Sequence, residues 1–596
     1  MKIIFFDPVT NIWPHAFPSS ILMDSFSNDS HEVLAVRCDS FLQSSCVAIR
    51  EAGLNFETSK ALKNQVCRSC KRRRDLLQSK VKADSINIED FLELEDYNTA
   101  SEFVGKVTKH NWTISKFCGI KVTQIAAYEI LITNKTGEMD AHLVTSPQFL
   151  ESVRNVCLTV LAARKILIKF SPDKVVVYNS LYSMNNAFYQ TAKSLGISSY
   201  TIQGGMHMVE RNNFLTAYES PQEEFKIANS SEWMEIKDQA LDEDQIRLVE
   251  SHLKGLFAGQ SAFAYSLPAD SGTGTGFILK LNLSSGKKKL LALMSSEDEI
   301  YAGNLASGLP KQDKSRQIFA TQLEWLKWLI EFASVRLDVI LIIRVHPRLF
   351  PNKREFALSP DLQQYNELFR ELPSNVFVNF PSDEVSLYHL ALESSVVLNY
   401  RSTAGVELLS FGIPVVIPGS HSYLPYPSEL NLVAESKSDY KNKIESAIMN
   451  GWQIDNSIKA FRWYSFLFST VAERVLVKSS HELISKGRPV KNKSFIRVWR
   501  ILTFIYLQMG PNFLYRGELF SKKGLHNSPE RTKSAILEDL KGTYQIPVES
   551  IFKILPTSEV NLIKSSILRV IPSDIISKIN NPEFHKFIAV LVDPSM

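Results

Sequence analysis

Between residues 289 and 450, short apolar runs alternate with helix-length amphipathic stretches. Lys289–Met294, Asp338–Val345, Asn375–Phe380, Val396–Tyr400 and Ile413–Pro418 are runs of strand length. Arg316–Phe332, Asp361–Leu372, Ser386–Ser394, Thr403–Phe411 and Asp439–Asn450 have helical spacing. Runs such as DVILIIRV (Asp338 to Val345) are rich in β-branched residues, as strands buried on both faces are. Strands separated by helices imply right-handed βαβ units and a parallel, doubly wound sheet. The first half repeats the theme more loosely. Strands are predicted over Lys2–Phe6, Glu32–Arg37, Val175–Tyr178 and Ser199–Ile202, and helices over Cys157–Phe170 and Ser183–Ser194, with Gly196 as a helix stop.

From Leu267 to Lys289 the chain turns to Pro, Ser, Gly and Lys, which reads as a connection. The expectation is therefore an α/β protein of two Rossmann-like doubly wound domains facing a cleft, with a mostly helical C-terminal extension. The units are 1–265, a linker at 266–288, 289–470 and the extension 471–596. Ligands in open α/β sheets bind beyond the carboxyl ends of the strands, so candidate chemistry is sought there.

The 596 residues carry 67 Lys+Arg against 63 Asp+Glu, and 44% are hydrophobic. That balance excludes a disordered chain and argues against a dedicated nucleic-acid binder. The start, Met1 to Phe6, is too short an apolar run for a signal peptide and stops at Asp7-Pro8. No stretch reaches a membrane span of about 18 apolar residues. A cytoplasmic chain is expected, with contact at the inner face of the membrane through a segment taken up below.

Two constellations stand at predicted strand ends in the second half. Arg344-Val345-His346-Pro347-Arg348 closes one strand, and a His beside arginines suits a phosphate-bearing ligand. Asn399-Tyr400-Arg401-Ser402-Thr403-Ala404-Gly405-Val406-Glu407 closes another and opens a helix. Ser402 or Thr403 can cap that helix, and free amides at a helix start also take up phosphate. Gly405 admits a close approach, and Glu407 lies one turn on.

Taken together, residues 289–420 resemble the nucleotide-sugar half of GT-B glycosyltransferases. The closer likeness is to bacterial capsule and surface-polysaccharide transferases, which pair an HP motif (here His346-Pro347) with a Ser/Thr-rich motif (here Ser402-Thr403). Teichoic-acid glycerophosphotransferases are similar too. The resemblance implies that His346, Ser402 and Thr403 hold the donor phosphates, that Arg344 and Arg401 add positive charge, and that Glu407 binds ribose. It implies no metal for catalysis. The acidic run Glu297-Asp298-Glu299 lacks the Gly that follows such a pair in the family and reads as a solvated loop.

An acceptor glycan or lipid-linked glycan would then occupy the first half. There Gln203-Gly204-Gly205-Met206-His207 follows a predicted strand; Gly204 and Gly205 would let a substrate approach, and His207, Glu210 or, less directly, Glu129 would deprotonate its hydroxyl. Cys38, Cys46, Cys67 and Cys70 fall close together, and clustered thiols in a reducing compartment suggest a structural zinc, with separate buried thiols as the alternative. The basic-aromatic segment 486–515 either meets an anionic membrane surface or packs back across the domains. The expected activity is sugar transfer from a nucleotide sugar to a growing bacterial surface polysaccharide of capsule or O-antigen type. Two rivals remain: a nucleotide-sugar 2-epimerase, and a non-catalytic polysaccharide-assembly protein that kept the fold.

Overall fold

The computed structural model describes residues 1–261, 265–269, 274–282, 286–309, 317–352, 357–419, 424–475, 527–545 and 556–592. The 486–515 segment lies outside them.

The first sheet is built from β1 (Lys2–Phe6), β2 (Glu32–Arg37), β3 (Asp84–Asn87), β4 (Lys174–Tyr178), β5 (Ser198–Gly204), β6 (Phe214–Tyr218) and β13 (Glu473–Arg474), in the order β13-β6-β5-β4-β1-β2-β3. The second contains β7 (Lys288–Leu293), β8 (Val339–Arg344), β9 (Val376–Asn379), β10 (Val396–Asn399), β11 (Val415–Ile417) and β12 (Leu432–Val433), in the order β12-β11-β10-β7-β8-β9. The second sheet is parallel throughout. In the first, only β6 and β13 run antiparallel to their neighbours.

Each sheet therefore winds outward in one direction from its first strand, then restarts on that strand's other side. The crevice between the first and fourth strands is the switch point where such sheets receive ligands. In the first domain it opens between β1 and β4, and in the second between β7 and β10.

The two domains share an apolar core. Leu253, Leu256 and Phe257 of the helix Glu243–Phe257 belong to one buried cluster with Leu291, Tyr388, Leu409 and Phe411 of the second domain and Ile563 and Ile567 near the chain's end. The stretch expected as a separate extension after 470 is divided between the domains. β13 adds to the edge of the first sheet, and Lys533 of the helix Glu530–Leu537 pairs with Asp29. The helices Pro556–Val570 and Pro582–Val592 return to the other side, through Glu559 to Arg462 (2.7 Å) and Glu583 to Lys288. The connection after residue 265 is also more than a spacer. It forms the helix Thr275–Asn282, buries Leu281, and is held at Leu267, whose carbonyl accepts from Ser386 Oγ at 3.0 Å. Among the described residues no helix is long and apolar enough to cross a membrane.

Candidate functional site

At the carboxyl end of β8, Arg344 points sideways and donates to Asn379 Oδ1 (2.6 Å) and the Val385 carbonyl (3.1 Å). It braces the strand ends. Two residues on, the His346 ring is neutral, because burial lowers its pKa to about 4, a loss that the nearby Glu299 carboxylate only partly offsets. His346 Nδ1 accepts the Arg348 backbone N–H at 3.3 Å, which puts the ring proton on Nε2. The imidazole is thus a hydrogen-bond donor at neutral pH. Tyr265 meets this ring edge-on, with centroids 5.8 Å apart.

Across the switch point, Asn399 at the end of β10 shapes the Ser402 turn. Its Oδ1 accepts Ser402 N–H at 2.9 Å and its Nδ2 donates to the Ser402 carbonyl at 2.9 Å. Ser402 Oγ in turn accepts Ala404 N–H at 3.2 Å, as a capping hydroxyl does. Thr403 precedes the helix Ala404–Leu409 with its side chain exposed and not engaged as a cap. Arg401 is buried; it donates to Gln317 Oε1 at 3.0 Å and lies 5.0 Å from the Tyr400 ring centre. Glu407 Oε2 accepts the Tyr388 hydroxyl at 2.8 Å, and burial raises its pKa against that hydrogen bond.

The close approach at Gly405 comes from the protein itself. A Cβ there would overlap Tyr426 Oη and Asn399 Nδ2. Gly405→Ala should therefore disturb the Asn399–Tyr426 pair and lower stability by about 1–3 kcal/mol, read as a fall in denaturation midpoint.

The acidic run expected as a solvated loop instead opens the helix Glu297–Ala306. Asp298 is 6% exposed and pairs with Arg348 Nε at 2.6 Å.

In the first domain the expected acceptor loop sits elsewhere than anticipated. β5 is followed by β6 in a hairpin, and the glycines serve that turn: a Cβ on Gly204 would meet Arg211 O at 2.8 Å, and one on Gly205 would meet Phe214 Cβ at 2.5 Å. His207 is completely buried, with ring centroids 4.7 Å from Phe468 and 4.8 Å from His252, and burial drops its pKa to about 3. Its Nδ1 accepts Glu210 N–H at 3.0 Å, while the Glu210 carboxylate accepts from Asn213 Nδ2 at 3.2 Å and faces Arg474 at 3.9 Å. His207 is a core histidine and Glu210 an anchored hairpin residue, so neither is presented to an acceptor.

The cavity of this domain lies at its switch point instead. Asp7, Pro8 and Val9 after β1, Cys38 after β2 and Tyr178 at the end of β4 form its rim; His15, Cys46, Glu129 and Tyr182 also line it. Its volume of about 40 Å³ suits one hydroxyl-bearing arm and its water more than a whole sugar ring.

Glu129, 7% exposed, accepts Ser183 N–H at 2.8 Å on Oε1 and the Ser183 hydroxyl on Oε2. Burial raises its pKa to about 7, against the opposing pull of the Arg50 charge and the Ser183 hydrogen bond. His15, 8% exposed, stacks on Tyr178 at 4.4 Å and adjoins Tyr182 at 5.0 Å. Its ring nitrogens have no hydrogen-bond partner among the described residues. Burial, then the charges of Arg211 and Arg50, bring its pKa to about 3.

Sequence reading placed Glu129 third among possible bases and missed His15. The overlooked signal was Trp13-Pro14-His15: proline at a helix start directly after the first strand puts a histidine beside the crevice.

Of the four cysteines, Cys38 and Cys46 line this cavity. Thr10 Oγ1 lies 3.2 Å from Cys70 Sγ, and Gln43 Nε2 donates to Cys67 Sγ at 3.6 Å. Burial lifts the Cys38 and Cys67 thiols and takes Cys46 up to about 12, which favours thiols over the thiolates zinc needs. Among the described residues, no three His, Cys, Asp or Glu side chains are gathered as metal ligands.

The two doubly wound domains and their facing crevices define a GT-B-type architecture. No protein-family model and no curated protein matches the sequence. Among solved structures, the UDP-GlcNAc 2-epimerase of Methanocaldococcus jannaschii aligns at 13% identity over 78% of this chain and 98% of its own, with a TM-score of 0.25. CalG4, the calicheamicin glycosyltransferase, aligns at 13% over 78% and 94%, with a TM-score of 0.25. Thermosulfurimonas dismutans KpsC, a beta Kdo 2,7 transferase, aligns at 13% over 58% and 88%, with a TM-score of 0.27. At such scores what those proteins act on does not carry over, and the functional reading rests on this chain's own residues.

Proposed function

We propose that the chain is a nucleotide-sugar-dependent glycosyltransferase that extends a bacterial surface polysaccharide. The observation that carries the reading is the pairing of two unlike crevices. The second domain offers neutral donors, His346 Nε2–H and the Ser402 and Thr403 hydroxyls. The first offers a carboxylate, Glu129, whose pKa is near neutrality. Glycosyl transfer needs both.

As the acceptor oxygen attacks the anomeric carbon, its proton passes to Glu129, a base matched to neutral pH. The bond from that carbon to the nucleotide breaks, and its electron pair leaves with the phosphate. Donors at His346 and at the Ser402 turn held by Asn399 stabilise the growing charge there with little reorganisation, and the exposed Thr403 hydroxyl turns to join them. His15, a much weaker base, holds the acceptor hydroxyl by a hydrogen bond. Arg401 adds charge nearby, while Arg344 maintains the strand ends.

The test is a thermal-shift panel with CMP, CDP, UDP, GDP and their sugars, wild type beside His346→Ala. A ligand at a hundred times its Kd adds about 2.7 kcal/mol, so one nucleotide should raise the wild-type melting point and fail to do so in the variant. Absence of any shift would favour a non-catalytic assembly role. Epimerisation of the bound sugar without an acceptor would overturn transfer.

A further inference from the structure

The loop bearing His346 is fastened to the helix bearing Glu129 from both sides, by Arg348 on the loop and Lys135 at the helix end. Arg348, 2% exposed, reaches Asp298 Oδ2 with Nε at 2.6 Å, faces Glu299 Oε1 at 3.6 Å, and donates through another guanidinium N–H to the Ile132 carbonyl at 2.6 Å. Ile132 is in the last turn of the helix Val122–Asn134, three residues after Glu129 and therefore its neighbour on one face. Lys135, in the left-handed conformation (φ 51°) at the end of that helix, donates from Nζ to the Phe350 carbonyl at 2.6 Å. The Lys135 carbonyl accepts from Ser359 Oγ at 2.8 Å. Arg348 also supplies the backbone N–H that sets the His346 tautomer.

We propose that Arg348 is a positioning residue that couples the donor crevice to the acceptor cavity; this rests on the assignment of those two sites given above. The guanidinium holds its five N–H groups in a fixed fork, so one side chain can grip Asp298 and the Ile132 carbonyl in a single geometry, as a lysine cannot. Parting the loop from the helix would strip an acceptor from a buried cation, which is costly. The 346–350 loop and the Glu129 helix therefore shift as a unit. A donor that draws in the loop draws Glu129 toward the sugar.

The experiment is amide hydrogen exchange with whichever of CMP, CDP, UDP and GDP raises the wild-type melting point most, read over residues 122–134 and 344–350. In wild type the nucleotide should slow exchange in both segments, by about fivefold or more in the helix. In Arg348→Lys the melting shift and the protection of 344–350 should persist, while the slowing in 122–134 disappears. Transfer should then lose about tenfold or more in kcat with donor KM nearly unchanged, as a misplaced catalytic group does.

Wild-type slowing of the helix in Arg348→Lys, or loss of nucleotide binding together with the coupling, would overturn the proposal. Should Arg348→Lys fail to fold, Lys135→Met loosens the same junction and should weaken the coupling alone; unchanged coupling there overturns it too. If no nucleotide shifts the wild type, the donor assignment itself falls, and the coupling with it.

Discussion

Glu129→Gln should cut the rate of transfer by roughly 10²–10⁴-fold, the usual contribution of a positioned general base, while making the folded chain more stable above neutral pH. The substituted amide can keep the Ser183 N–H on its oxygen and accommodate the rotatable hydroxyl on the other side, so the cavity wall is preserved. The stability gain follows from proton binding. Glu129 has a pKa of about 7 in the folded chain against an ordinary value of 4.5. Between those values the folded state binds the extra proton, so its stability falls as pH rises through the window. By pH 8 the loss is on the order of 3 kcal/mol, and an amide, which never ionises, removes it. In wild type, activity should rise with pH through about 7 as the carboxyl group loses its proton. Initial rates from pH 5.5 to 8.5, with denaturation midpoints for both proteins, read all three effects. Wild-type turnover in Glu129→Gln would show that the acceptor proton leaves by another route.

The second large effect is loss of stability in acid. His15 and His207 have pKa values of about 3 in the folded chain, and that of His252 is well below its ordinary value of 6.5, in each case chiefly through burial. As pH falls below 6.5 the unfolded chain takes up these protons and the folded chain does not. At pH 4 His15 and His207 each disfavour folding by roughly 3 kcal/mol, and His252 adds to this; together they approach the whole stability of an ordinary domain. The raised carboxylates work the other way. Glu129 and Asp361, the latter at about 6, regain stability on protonation, as do Glu89, Glu224, Asp298 and Glu407, which burial also raises, but that gain is complete by about pH 4. The carboxylates therefore offset much of the histidine loss between pH 6.5 and about 4, and denaturation midpoints should fall below about pH 4, where the histidine loss is still growing and the carboxylate gain is complete. His207→Phe, placed against Phe214, Phe468 and His252, should flatten that fall. An acid limb left unchanged in His207→Phe would mean that this ring titrates freely in the folded protein.

How far the sequence was legible follows the physics of each element. β1 and β2 lie at the bounds predicted for them, and β7 to β10 within one or two residues, because buried parallel strands are continuous apolar runs. β6, FLTAY, was missed, and with it the hairpin, so the stretch from Gly204 to His207 read as a strand end open to a substrate. The residues proposed for the donor side could be placed at strand ends because they follow directly on strands that were recognised. What those side chains do could not be read: the Arg344 contacts with Asn379 and Val385, and the Gly405 fit against Tyr426, join residues far apart in sequence. Glu129 and His15 meet only because the helices Trp13–Asn28 and Val122–Asn134 converge on one crevice, and no local pattern records that convergence.

Where the chain leaves β13 and where it returns are nearly the same place: the Asn527 N–H donates to the Val475 carbonyl at 2.7 Å. Glu473 then accepts from the backbone of Arg531 at 2.9 Å and of Thr532 at 2.8 Å, while the Arg531 guanidinium caps the carbonyls of Ser469 and Thr470. Entrance and exit are thus clasped by contacts that do not involve residues 476–526. Loss of the Glu473 carboxylate should therefore loosen the strand β13 and the start of the helix Glu530–Leu537 together. The edge of the first sheet is closed like a buckle, a single carboxylate holding stretches of chain 58 and 59 residues apart in sequence.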